Sequence, residues 1–422
     1  MSALHETVEG QVRDGSGYSC IGYAPHTGKA IVLVDSSETQ IEAMKVQYLH
    51  IEDVDGLRRS WCIQRVQRGY TQPPDMAYMV SSLADRGPGT LRAALEARGR
   101  RIVVFRVAGD IALETPITIA NPHVVVLGQS APAGGVCIRG SFIRIESHDV
   151  ALRHLRCRPG ANGETDGIQI NAPAHDILID HCSLTWAVDE NVDIYGTRGQ
   201  DPIRNVEIRH CLIAEGLCDS FHSTGPHSCG IIVGYAENVS IHHNLIALNE
   251  TRFPLASGRV DIINNVLYGW GSQCMLIRYR EQEPMPTRVN IISNYYQKAD
   301  WSNLSLGEVL VMDYGTPNAP MGIHLSGNRH CRSIGDEWDL VEIHFRSVGT
   351  ELEYRQESAY PLLHDVRPDS AEDAYNNVLA NAGATLPKRD VVDARIVADV
   401  QNGTGGIIDD PSDVGGWPDL TA

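Results

Sequence analysis

The chain has 422 residues, a net charge of −18 and few aromatics, 6% against 42% hydrophobic residues in all. That charge argues against non-specific nucleic-acid binding, and no apolar run is long enough to suggest a membrane span. The length exceeds what one ordinary core fills, a limit that a solenoid escapes by growing along its axis.

Residues 1–75 contain the alternating stretches Lys29-Ala-Ile-Val-Leu-Val34 and Ala43-Met-Lys-Val-Gln-Tyr-Leu-His-Ile51, which predict a small β-rich N-terminal domain. Gln72-Pro-Pro-Asp75 marks its end, because two prolines stop regular structure. The first ten residues lack the basic start and apolar core of a secretory signal. Next comes a predicted helix over Gly89–Arg98, with Thr90 as N-cap and Leu91, Ala94 and Leu95 on one apolar stripe. Such a helix would cover the open end of a stack of strands, whose bare edges would otherwise recruit other chains.

An eight-residue pattern then recurs to about residue 345. It reads His148-Asp-Val-Ala-Leu-Arg-His-Leu155, His175-Asp-Ile-Leu-Ile-Asp-His-Cys182, Arg204-Asn-Val-Glu-Ile-Arg-His-Cys211 and Glu237-Asn-Val-Ser-Ile-His-His-Asn244. Further copies end at Asn265, Asn294 and Asn328, and a looser early one ends at Gly128. Between these eighth positions the intervals are 27, 27, 29, 33, 21, 29 and 34 residues. A period of this size marks stacked repeats, since one short strand cannot bury its face alone. The pattern predicts a right-handed parallel β-helix over residues 76–345, with Asn side chains stacked in a ladder and Cys filling the same narrow slot. Most of the ten cysteines are therefore expected as reduced core residues, and without Cys-x-x-Cys no structural zinc is expected. Residues 346–422 are expected to add a helix capped by Ser370 and an extended, Gly-rich tail on the outside of the solenoid.

Chemistry is sought at strand ends and turns. Asp166 precedes one predicted strand, and Asp189 and Asp193 follow the next. Neighbouring turns stack roughly 4.8 Å apart, so these carboxylates can converge. Three acids with few nitrogens or thiolates nearby favour Ca²⁺ over a transition metal, the alternative being plain turn-capping acids. In Asn249-Glu-Thr-Arg252-Phe-Pro254, Pro254 fixes the backbone that aims Arg252 across the same face, as a reactive group or as a salt-bridge partner. Spacing gives His222, His227, His242 and His243 no role.

Asp180-His-Cys-Ser-Leu-Thr-Trp186-Ala-Val-Asp-Glu190 resembles the pectate lyase family of polysaccharide lyases. So do Gly128-Gln-Ser-Ala-Pro-Ala-Gly-Gly135, His243-Asn-Leu-Ile-Ala, Asn264-Asn-Val-Leu-Tyr-Gly-Trp270 and Gly415-Gly-Trp-Pro418. The likeness covers residues 78–422. It implies Ca²⁺ on Asp166, Asp189 and Asp193, Arg252 as catalytic base, and β-elimination in an acidic, uronate-containing polysaccharide such as pectate. Two departures stand out. Leu255-Ala-Ser257 replaces the basic continuation of the family's Arg-x-Pro, and the segment His227–Gly234 lacks a Lys the family commonly carries. Arg259, Arg278, Arg280 and His227 are therefore the candidate substrate-binding residues. Asp180-His181 is assigned to scaffolding.

Two other readings compete. Asp189 and Glu190 would be the acids of a glycoside hydrolase, although neighbours on a turn tend to point apart. A non-catalytic carbohydrate-binding or structural β-helix is also consistent with the scaffold. An N-terminal module joined to a β-helix further resembles virus tail proteins that degrade surface polysaccharide. The expected location is thus extracellular or virion-associated, with residues 1–75 anchoring a larger assembly.

Overall fold

The computed structural model describes residues 18–24, 29–34, 45–50 and 76–421, except 198, 281–284, 304, 315–320, 331–334, 345–353 and 365. Three antiparallel strands, Tyr18–Ala24, Lys29–Val34 and Lys45–His50, form a sheet of their own near the N-terminus. The expected boundary at residues 72–75 lies outside the described residues.

From Met76 onward the chain coils through three parallel sheets of ten, eight and nine strands. One coil shows the plan. His175–Asp180 lies in the ten-stranded sheet, Ser183–Thr185 in the eight-stranded sheet and Glu190–Tyr195 in the nine-stranded sheet. Each strand pairs with its counterpart one coil before and one coil after, which is the connectivity of a right-handed parallel β-helix. Inward positions repeat the same chemistry, as in Val150–Ile177–Val206–Val239–Val260–Val289–Ile323, all buried in one continuous core. β-Branched side chains suit this half-pleated, narrow interior.

Corners explain the repeat's polar letters. The seventh position of successive copies adopts left-handed backbone at His154, His181, His210, His243, Asn264, Ser293 and Gly327. The second position does the same at Asp149, Asp176, Asn205 and Asn238. Asn, Asp and His are enriched in this conformation among non-glycine residues. The strand therefore ends before the eighth residue, which instead points inward beyond the corner. There the Nδ2 groups of Asn244, Asn265 and Asn294 donate to the Oδ1 of the next Asn, ending at Asn328, at 3.0, 3.0 and 3.1 Å. Cys211 and Cys182 continue the column, with the Cys211 N–H donating to Asn244 Oδ1 at 2.8 Å. Seven cysteines are free among the described residues, and six of these are buried.

Helix α1, Leu91–Leu95, is shorter than the sequence suggests, and it starts from Thr90, whose hydroxyl accepts from the Ala93 N–H. After the last strand, helix α2 (Ala371–Asn381) starts at Ser370 as expected. Helix α3 (Val391–Asn402) stands where the sequence reading proposed nothing. Asp390 caps its start and Gly403, in left-handed conformation, its end. Both helices pack on the outer face of the eight-stranded sheet through Val378, Leu379, Ile396 and Val400. No helix among the described residues is long and apolar enough to cross a membrane.

Candidate active site

The loops that lead from the eight-stranded into the nine-stranded sheet stack on one another, and they carry the chemistry. Asp166 precedes the strand Ile168–Asn171, and Asp189 and Glu190 stand at the head of the next strand. Arg252 lies in the loop after Leu245–Ala247. Asp193 follows the strand Ser183–Thr185, as the sequence suggested, and lies inside the next strand, Glu190–Tyr195, register-paired with Gln169.

Asp166 is nearly buried. One carboxylate oxygen accepts from the Glu190 N–H at 3.0 Å and the other from the Gln169 amide. Burial first, then the Asp189 charge, pushes its carboxyl up to about 7. Asp193 is raised well above the ordinary range by burial and by Asp166 and Asp189. Its Oδ1 is buried and accepts no hydrogen bond. Burial would raise Asp189 as well, but the hydrogen bond from His227 and the His227 and His222 charges hold it below the usual range. Asp166, Asp189 and Glu190 offer oxygens within 4.8 Å of one another, and Asp193, with an idle buried oxygen, lies near enough to Asp166 and Asp189 to be raised by both, a set of oxygens that fits a hard cation.

Arg252 has left-handed backbone, uncommon for so large a side chain, and ion-pairs with the buried Glu190. Its pKa is lowered, first by burial. Asp189 opposes this, and the Arg278 and Arg280 charges reinforce it. Arg278 and Arg280 thus stand near the site, with Arg280 also stacked over Tyr314 at 5.2 Å. Arg259 does not join them. It sits on the ten-stranded sheet, pairs with Asp261 at 2.7 Å and donates to the Pro361 carbonyl. The register-paired row Ile232–Leu255–Leu276–Leu310 extends from Asp193, so apolar side chains occupy the line that runs through Leu255, the missing basic position.

Two features were missed from sequence. Glu190, read as pointing away, faces Arg252 and groups with Asp166 and Asp189. The expectation of few nitrogens near the acids is also corrected, because His227 and His222 reach Asp189 Oδ1 at 3.1 and 3.6 Å. Their loop is too long and irregular for spacing to place them. Asp180 behaves as scaffold in its contacts, enclosed by Arg153, His181 and Arg209 at 2.8, 2.7 and 3.2 Å.

No family model matches the chain. A protein of Aspergillus flavus described as a probable pectate lyase C is 32% identical over 351 residues, covering 81% of this chain and 77% of that protein. Its counterpart in Aspergillus oryzae is 31% identical over 353 residues, covering 82% and 78%. Among solved structures, Jun a 1, the major allergen from cedar pollen, superposes with a TM-score of 0.50 at 16% identity, covering 73% of this chain and 88% of that one. That last likeness concerns the fold. The sequence relatives decide the family, and the chain belongs to the pectate lyases, a family of polysaccharide lyases.

Proposed function

We propose that this protein cleaves pectate by β-elimination, with Arg252 as base and Asp166, Asp189 and Asp193 holding Ca²⁺. The observation that carries the reading is that Arg252 lies against the Asp166, Asp189 and Glu190 group, with Asp193 beside it leaving its Oδ1 buried and idle. When bound, Ca²⁺ supplies a Lewis acid that neutralises a uronate carboxylate and the enolate charge developing on it. The chain's residues do the rest. Asp166, Asp189 and Asp193 supply the anionic oxygens, and Gln169 and the Glu190 N–H hold Asp166 in place. Burial and the Arg278 and Arg280 charges favour the neutral guanidine of Arg252, which in that form accepts the C5 proton while the C4 oxygen departs. Arg278 and Arg280 supply local positive charge for a polyanion on a chain whose net charge is −18.

An extracellular polymer as substrate supports an extracellular location. The relatives are fungal enzymes rather than virus tail proteins, which removes the support for virion association. The proposed domain division keeps residues 76–345 as the catalytic β-helix and 346–422 as its packed tail. The suggested anchoring role of residues 1–75 lies largely outside the described residues. The test is ultraviolet absorbance of the unsaturated uronate product from polygalacturonate, with Ca²⁺ or with chelator. Product that requires Ca²⁺ and vanishes in Arg252→Ala supports the proposal. New reducing ends without absorbance would overturn it in favour of hydrolysis, and silence in both would favour a binding protein.

A further inference from the structure

The outward row of the nine-stranded sheet changes character at the acid cluster. On the earlier coils its register-paired positions are Thr118, Arg144, Gln169 and Asp193. On the later coils they are the apolar Ile232, Leu255, Leu276 and Leu310, the last three buried. Along this row only the polar half can hydrogen-bond a polyanion, and Arg144 is the cation in it.

Arg144 is the middle residue of the strand Ile143–Ile145. The two isoleucines are buried in the core, so the arginine between them projects outward and stays partly exposed. Its guanidinium lies 5.4 Å from the centre of the Phe142 ring, which supports it from one side. Its Nε donates to Gln169 Oε1 at 2.8 Å, and the Gln169 amide donates in turn to Asp166. The inner nitrogen is thus engaged, and this fixes the plane of the guanidinium. The two Nη groups are different. Among the described residues they donate to no acceptor and pair with no carboxylate, and neither is buried. A fork held from behind and open in front is preorganised for a planar, two-oxygen acceptor.

Electrostatics point to the same ligand. Burial raises the Asp166 and Asp193 carboxyls, and the Arg144 charge works against that at both. Arg144 therefore stands within the field of the acids, where it would repel a cation bound to them. An anion lying between the two positive charges removes that repulsion, and a uronate polymer brings carboxylates in series. Neighbouring strands lie about 4.8 Å apart, so the Arg144 and Asp193 backbones are roughly 10 Å from each other, which leaves room for a second sugar beside the one at the acids.

We infer that Arg144 is a specificity-determining substrate residue, whose Nη fork takes the carboxylate of a uronate next to the one held at the acids. The protein then favours runs of free uronates over esterified ones. This deepens the proposed function and rests on the acid cluster and Arg252 being the place of cleavage.

The test compares Arg144→Gln and Arg144→Lys with the unsubstituted full-length protein on polygalacturonate and on a highly methyl-esterified pectin, at saturating Ca²⁺. Arg144→Gln should raise KM for polygalacturonate about tenfold, the worth of a charged hydrogen bond, with kcat changed by less than about threefold. The preference for polygalacturonate over the ester should shrink by a similar factor, because an ester offers the fork no charge. Arg144→Lys should recover part of the loss, and Ca²⁺ affinity by calorimetry should stay within about twofold. An unchanged KM, or an equal loss on both polymers, would overturn the inference. A fall in Ca²⁺ affinity that matches the loss of activity would also overturn it, and would make Arg144 a positioning residue that acts through Gln169 and Asp166. Should the unsubstituted protein form no unsaturated product, the lyase reading falls alone. The subsite is then read by calorimetry with trigalacturonate, where weaker binding to Arg144→Gln upholds it and equal affinity sinks it.

Discussion

Arg252 reaches across one coil of the solenoid to form an ion pair with Glu190. The base proposed for proton abstraction is thus tethered to an anion, and proton uptake requires the pair to loosen. Arg252→Ala is expected to lower kcat by roughly 10²–10⁴, the usual worth of a positioned general base, with a smaller change in KM. Because the folded environment lowers the Arg252 pKa, activity should climb with pH as the neutral fraction grows. Glu190→Gln removes an anion beside the guanidinium, so the alkaline rise in kcat should move to lower pH. A rise that stays in place, or a complete loss of activity, would make Glu190 a positioning residue instead.

Asp193 makes the case for the metal on stability. Its carboxyl resists ionisation first because it is buried and then because Asp166 and Asp189 already occupy the neighbourhood. Asn at this position relieves the repulsion, so Asp193→Asn should stabilise the chelated protein by roughly 1–2 kcal/mol. The same change should erase the rise in Tm that Ca²⁺ gives the unsubstituted protein. Differential scanning calorimetry with and without Ca²⁺ reads both effects. A Ca²⁺-induced rise of equal size in the variant would remove Asp193 from the ligand set.

The sequence made the solenoid readable because the coil repeats the same packing problem. Val150, Ile177, Val206 and Val239 answer one inward position, and Asn244, Asn265 and Asn294 another. The conformational meaning of the seventh letter was harder to see. The sequence gives His181 only a scaffolding role and His243 none, without showing why; with His210 they are corner residues with left-handed backbone. The acids could be placed where they border or lie on repeating strands, as with Asp166 and Asp193. The site was opaque where a loop departs from the period, as with His222 and His227, whose meeting at Asp189 depends on ties to Glu164 and Ile408 far along the chain. Helix α3 carried the usual marks in Asp390 and Gly403, but its apolar face is modest and packs on side chains of the sheet that are distant in sequence.

Asn265 tests the ladder. Its Oδ1 accepts from the N–H and side-chain amide of Asn244, and its own amide donates to the Ile241 carbonyl and to Asn294. Asn265→Ala strands several buried partners at once and should cost roughly 3 kcal/mol or more. Cys211→Ala, two rungs away in the same column, removes a weak donor and little volume and should cost about 1 kcal/mol. Denaturant unfolding of the two variants measures the contrast. Equal costs would mean that the slot is filled for volume and that the amide bonds add nothing net.

Helix α3 is joined to the solenoid by a buried cluster of charges, and this predicts how the fold responds to acid. Asp390 pairs with Arg156 at 2.9 Å and Arg158 at 2.7 Å, and Arg158 also pairs with Asp393 at 2.6 Å. Burial alone would raise Asp390, but the Arg158 and Arg156 charges hold it at about 2. Its unfolded value is about 3.9, so its stabilisation is complete above that pH and is lost as pH falls toward 2. The difference corresponds to roughly 2–3 kcal/mol. Asp393, raised by burial and by Asp390, has the opposite sign and loses its contribution as pH rises through its own folded value. Asp390→Asn should cost roughly 3–5 kcal/mol near neutrality, because Arg156 and Arg158 then keep buried charge with too little opposing it. The variant should also lose less additional stability than the unsubstituted protein between pH 4 and pH 2, since the titrating group is gone. Urea unfolding across that range measures both slopes. Parallel acid limbs would place the acid-sensitive group elsewhere and leave the cluster as a packing device.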